Sequence, residues 1–204
     1  MAEKENTTEC QILEAAKKVF LQKGFEGARM QEIADEAGIN KALLHYYFRS
    51  KEKMFGAVFS AAFQEFLPSV GEAIKSDMPL FDKIRIFVDS YINMLVNNPH
   101  LPVFILSEIH RNPDLILTNF REAGIKPELF AKSVMDEINL GKIRPINPRH
   151  LIINIIALCI FPFIGKPILL NILFDNDPEK FQGFLEERKN EVTTFIIKSI
   201  AVKS

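Results

Sequence analysis

The chain has 204 residues and a mass of 23.3 kDa, enough for one large domain or two small ones. With 48% hydrophobic and 25% charged residues and a mean hydropathy of +0.06, it falls in the globular range, which excludes a disordered chain. The formal net charge is −1, so a nucleic-acid or membrane partner has to be met by a local patch, not by the overall charge.

The start, Met1 to Thr8, is polar and acidic and lacks the basic-then-apolar order of a signal peptide. Thr8-Glu9-Cys10-Gln11 reads as a capping box, which predicts a helix opening there. Ile12, Leu13, Ala16, Val19 and Phe20 continue at helical spacing, and Gly24 supplies the stop. A second helix of about ten residues runs from Ala28 to Ala37 with Met30, Ile33, Ala34 and Ala37 as its apolar stripe, and Gly38 ends it. A third opens at Asn40, a good N-cap, and turns Leu44 and Phe48 inward. Two short helices joined by a tight glycine turn form a helix-turn-helix, whose second helix can enter a DNA major groove.

A long helix is expected from Ser50 until Pro68, carrying Met54, Phe55, Val58, Phe59, Ala62, Phe63 and Phe66. All 11 prolines lie at or after Pro68, and Pro79, Pro99, Pro102, Pro113, Pro127, Pro145, Pro148 and Pro178 each fall between helical patterns, which predicts five or six more helices. Leu151 to Phe161 is rich in β-branched residues, but its length favours helix. The apolar run from Leu151 to Phe174 is interrupted by Pro162, Gly165, Lys166 and Pro167, giving 15 residues to Gly165, short of the about 20 that cross a bilayer. A buried interfacial helix is the better reading, with no membrane partner. Cys10 and Cys159 stand far apart in no ligand spacing, which suits reduced thiols in the cytoplasm.

Between Asn40 and Lys53 four basic residues, Lys41, Arg49, Lys51 and Lys53, stand against the single acid Glu52. Three of them surround the start of the long helix, where the macrodipole favours anions and a bound phosphate would make sense of the lysines.

Several positions are more specific than helix composition. Ile12-Leu13-Glu14-Ala15-Ala16, Phe20, Gly24-Phe25, Ile33-Ala34-Asp35-Glu36-Ala37-Gly38-Ile39 and Tyr46-Tyr47-Phe48-Arg49-Ser50-Lys51-Glu52 closely resemble the DNA-binding domain of TetR-family (tetracycline-repressor-like) regulators, over about residues 7 to 55. The resemblance implies an all-α fold of about nine helices. A three-helix DNA-binding domain over residues 1–50 would be followed by a helical ligand-binding and dimerisation domain over residues 51–204. It also implies that Lys41, Ala42, Leu43 and His45 approach base edges, that Tyr47 and Lys51 contact the backbone, and that Arg29 and Gln31 reach bases or phosphates. Tyr46 faces outward on the same helix. Gln31 can address adenine and Lys41 guanine, whereas Leu43 can only meet a thymine methyl or a sugar. The family more often has a small polar residue at Leu43 and tyrosine at His45, so no operator sequence is inherited.

The expected function is a ligand-responsive DNA-binding transcriptional regulator, a repressor released from a palindromic double-stranded operator by a small apolar or amphipathic effector. A regulator without an effector, and a helical lipid-binding module or enzyme, are the alternatives. No cofactor, metal set or catalytic constellation is expected: His45, His100, His110 and His150 are isolated, and no phosphate-binding glycine loop or nucleophile elbow occurs.

For the effector the candidates are Phe59, Phe63, Phe66, Tyr91, Met94 and Phe104, with Glu108, His110 and Asn154 as polar groups. The segment from Pro148 to Phe161 is apolar nearly all round, and the last helix carries a further apolar stripe. By resemblance these two helices pair with their mates in a four-helix homodimer bundle through Ile153, Ile156, Ile160, Phe184, Val192, Phe195 and Ile196.

Overall fold

The structure, a computed structural model, describes residues 2–99, 101–111 and 113–202, with side chains at all of these except 2–6, 104, 107, 108, 111 and 115. Among the described residues there are eleven helices and no strand. They are α1 (Ala2–Gly27), α2 (Met30–Glu36), α3 (Lys41–Tyr47), α4 (Lys51–Lys75), α5 (Leu80–Asn97), α6 (Leu101–Arg111), α7 (Pro113–Glu122), α8 (Pro127–Asn139), α9 (Pro148–Ile164), α10 (Lys166–Leu173) and α11 (Pro178–Ile200). The all-α expectation holds, with eleven helices in place of about nine. The break at Gly165, where α9 and α10 meet at 73°, separates two helices that proline punctuation alone leaves joined.

Three boundaries differ from the expected ones. α1 opens at Ala2, so Thr8 lies inside the helix and does not cap it. The Ala-Glu-Lys-Glu run before it favours helix and puts acids near the positive end of the dipole. At the other end Gly24 leaves helical geometry, with φ 70° and ψ 174°, before one last turn to Gly27. Pro68 does not end α4, which runs on to Lys75. Its ring faces solvent, and Leu67, Val70 and Ala73 beside it are buried, so packing outweighs the lost backbone hydrogen bond.

The chain divides into two compact units, residues 1–65 with 98–115, and residues 66–97 with 116–204. These do not coincide with the division at residue 50 expected from the sequence, because α4 contributes its first fifteen residues to one unit and its last ten to the other.

In the first unit Ile12, Ala16, Val19 and Phe20 of α1, Ile33 and Ala34 of α2, Leu44 of α3 and Met54 and Phe55 of α4 are all buried, and α2 packs on both α1 and α3. Phe20, Phe25 and Phe55 form an aromatic triplet with centroid separations of 4.5 to 6.2 Å. Lys18 to Glu36 at 3.0 Å and Lys23 to Glu32 at 2.9 Å tie α1 to α2 across the surface.

The second unit is organised around α5, whose Leu80, Ile84, Val88, Ile92 and Leu95 are at most 2% exposed and which packs on α8, α9 and α11. Ile143 is pinned to the end of α11 by an isolated antiparallel bridge to Ala201, with Arg144 N–H donating to the Ile200 carbonyl at 2.8 Å. Among the described residues no single helix is long and apolar enough to cross a membrane.

Candidate nucleic-acid interface

The turn between α2 and α3 is set by the backbone. Gly38 takes φ +67°, its N–H donates to the Asp35 carbonyl at 3.1 Å, and the Ile39 N–H reaches back to the Ala34 carbonyl at 3.0 Å. This pair of bonds closes α2 in a Schellman motif, which needs a left-handed residue where glycine stands. Two residues later Asn40 turns extended and its Oδ1 accepts from the Leu43 N–H at 2.8 Å, capping α3. The interval is therefore short and fixed at both ends, and the direction of α3 follows from it.

With Leu44 fully buried and Phe48 6% exposed, α3 turns Lys41, Ala42, Leu43, His45 and Tyr46 to solvent. Tyr46 is 73% exposed, a large amount for an aromatic side chain. Tyr47 is half-buried, its ring 5.4 Å from that of Tyr46. On α2 and its cap, Arg29 and Gln31 are exposed, and Gln31 Nε2 donates to Asp35 Oδ1 at 2.8 Å. Glu32 accepts from the Arg29 N–H, and the hydrogen bond from Lys23 holds its carboxyl below the usual range.

Four cations near the start of α4 divide by role. Lys41, Arg49 and Lys53 are exposed and form no ion pair with any described residue. Lys51 is half-buried: its ammonium lies 4.5 Å from the centroid of Phe25 and donates to the carbonyls of Glu26 at 3.4 Å and Ala28 at 3.3 Å. Ser50 Oγ accepts from the Lys53 N–H at 3.2 Å, so α4 also begins with a cap. What results is an outward helix face flanked by two uncommitted cations at a helix N-terminus, an arrangement suited to a groove and its phosphates.

The candidate effector residues are scattered. Phe59 and Phe63 stack on each other in the first unit, centroids 4.4 Å apart, while Phe66, Tyr91 and Met94 are buried in the second. His110 is exposed with Nδ1 3.0 Å from the Leu106 carbonyl oxygen, and Asn154 is exposed. The side chains of Phe104 and Glu108 lie outside the described residues. None of the described ones lines the cavity that the second unit contains.

That cavity, of about 210 Å³, lies among Leu67 and Val70 of α4, Lys83 and Phe87 of α5, Phe130 of α8 and Ile155 of α9, and its walls are almost wholly carbon. Phe66 and Tyr91 stand behind it, packing on Phe87 with centroids 5.9 and 5.5 Å away. Phe59, Phe63, Phe66, Tyr91 and Met94 are thus core, and other residues of the second unit, Phe87, Phe120 and Phe130 among them, form the wall. One signal was available: Lys83 stands three residues after Leu80 and four before Phe87, inside the apolar stripe of α5.

Of the expected dimer residues, Ile153, Ile156 and Phe195 are 62%, 38% and 63% exposed, and Ile160 and Phe184 are partly so. Val192 and Ile196, at 1% and 2%, are covered by their own chain, because that side of α11 faces its own helical core. Phe161, at 60%, extends the exposed apolar face of α9.

Residues 12–58 match the family described as bacterial regulatory proteins, tetR family. The transcriptional regulator RutR of Escherichia coli K12, of the helix-turn-helix type, is 30% identical over 148 residues, which is 72% of this chain and 69% of RutR. The transcriptional activator FasR of Mycolicibacterium smegmatis is 31% identical over 42% of this chain and 39% of its own. A crystal structure of a variant of HlyIIR, a hemolysin II transcriptional regulator, superposes with a TM-score of 0.66 at 25% identity, covering 97% of this chain and 99% of that one.

Proposed function

Because the chain belongs to the tetR family of bacterial regulatory proteins and is a DNA-binding transcriptional regulator of the helix-turn-helix type, we propose that it acts as a homodimeric repressor released from a palindromic operator by a small effector. The observation that carries this reading is the capped helix α3, with Lys41, Ala42, Leu43 and His45 turned outward beside Arg49 and Lys53. Residues 1–50 read the DNA in this proposal, and residues 51–204 hold the effector and the partner subunit. The protein works in the cytoplasm, where its DNA is, and without catalysis.

Apolar residues left exposed on α9 and α11, Ile153, Phe161 and Phe195, support pairing with a second copy. A two-fold dimer presents two α3 helices about 34 Å apart, one turn of duplex. The carbon-walled cavity supports an effector, because natural interiors rarely keep such a volume without use. α4 supplies Leu67 and Val70 to that cavity and opens at Lys51, shortly after α3 ends at Tyr47, so an effector that prefers one setting of α4 lowers operator affinity through that helix. FasR, a relative, is named an activator, and a reporter placed behind the operator tells the two polarities apart.

Selection of bound sequences from random duplex DNA tests the reading. An inverted repeat with half-sites about ten base pairs apart is expected. Recovery of unrelated sequences, or binding by a single subunit to a single half-site, would overturn it.

A further inference from the structure

Lys83 is 6% exposed, yet no carboxylate pairs with it among the described residues. Its ammonium donates to the Ile74 carbonyl at 3.2 Å and to Ser133 Oγ at 3.0 Å, both neutral acceptors. An ammonium carries three donors, so one is left over in a place where charges are rarely buried unless paired. Lys83 and Ile74 form part of the wall of two cavities at once. The carbon-walled cavity of about 210 Å³ and a polar one of about 270 Å³, which Ser133 also lines, adjoin at these two residues. The alkyl stem therefore borders the apolar space while the ammonium is held by residues of the polar space.

We propose that the effector is a medium-chain amphipathic anion, its hydrocarbon body in the apolar cavity and its single anionic head, such as a carboxylate, in the polar cavity against Lys83. The proposal rests on the effector-responsive reading above. The other charges around the polar cavity leave room for this head. Asp77 and Asp136 are exposed, Glu137 is engaged by Lys142 at 3.4 Å, and Lys75 and Lys132 add positive charge on the same rim. The rim is thus mixed, and among the described residues that line it the one buried charge is positive. The size of the body follows from the volume: at about 30 Å³ per water-sized group, 210 Å³ holds about seven carbons. Octanoate fits that measure.

Titration calorimetry on the full chain with octanoate, 1-octanol and octylammonium tests it, in the natural protein and in Lys83→Met, which keeps the stem and removes the charge. Octanoate is expected to bind at least about tenfold more tightly than octanol, with octylammonium weakest. In Lys83→Met the preference for octanoate disappears while octanol binding is kept. Equal affinities for octanoate and octanol in the natural protein, or the same preference in Lys83→Met, would overturn the anionic head and leave the effector cavity standing. No binding of any of the three would overturn both. If Lys83→Met fails to fold by circular dichroism, the order of the three probes on the natural protein decides alone.

Discussion

Lys51 closes the end of α1 by laying its ammonium 4.5 Å from the centre of the Phe25 ring. The same group reaches the carbonyls of Glu26 and Ala28, at the negative end of that helix. A residue expected to meet a phosphate thus also ties the reading head together, whereas Arg49 and Lys53 remain uncommitted. Lys51→Ala is therefore expected to lower stability by about 1 kcal/mol, the worth of a partly exposed cation–π contact, as well as to weaken DNA binding. Arg49→Ala and Lys53→Ala are expected to leave the urea midpoint unchanged and to reduce the slope of log affinity against log salt by about 0.9 each. An unchanged midpoint in Lys51→Ala would refute the tie.

The α2–α3 turn depends on two residues for different reasons. Asn40→Ala removes the cap bond to Leu43 and is expected to cost about 1 kcal/mol. At Gly38 an added Cβ meets nothing within 4 Å, so Gly38→Ala costs only the left-handed backbone, about 1–2 kcal/mol. Denaturant unfolding measures both, and each variant should lose DNA affinity with its stability.

Gln31 is engaged with Asp35 at 2.8 Å and must leave it to reach a base edge. Asp35→Ala frees the amide and removes a negative charge beside the proposed DNA contacts, so tighter binding with unchanged base preference is expected. Gln31→Ala and Lys41→Ala are expected to change preference at one or two base pairs. Binding-site selection that returns the natural motif with both variants would remove these residues from the base contacts.

Assembly and folding separate on α11. Phe195→Asp places a charge on an exposed apolar position and is expected to give monomers by sedimentation while the chain stays folded. Val192→Ala, inside the chain, is expected to lower the melting temperature and leave the assembly intact.

Cys159 is fully buried, and burial pushes its thiol up to about 12, although Arg188 nearby pulls the other way. Burial likewise pushes the Tyr91 hydroxyl up, with Cys159 adding to it. In the unfolded chain the thiol ionises near 9, so the unfolded state releases its proton first as pH rises. The stability this thiol contributes is complete below pH 9 and is lost between 9 and about 12. At pH 8 a thiol reagent should therefore react with the exposed Cys10 alone, and with both cysteines once the chain is unfolded. Reaction of two thiols in the native protein would contradict the burial.

The sequence by itself determined the helices of the reading head, the cap at Asn40, the stop at Gly38 and the inward turn of Leu44 and Phe48. All of these follow from neighbours three or four residues apart and from backbone preferences that act locally. It also showed that α9 is too apolar for one face. Tertiary structure decided which apolar residues wall a cavity and which fill the core, since Phe66 and Phe87 have the same side chain and differ only in what stands behind each. It decided that Val192 is inside and Phe195 outside on one helix, and that Lys51 lies on Phe25, 26 residues away in sequence. Contacts between distant segments depend on how whole helices pack, and periodicity along one helix carries no record of its neighbours.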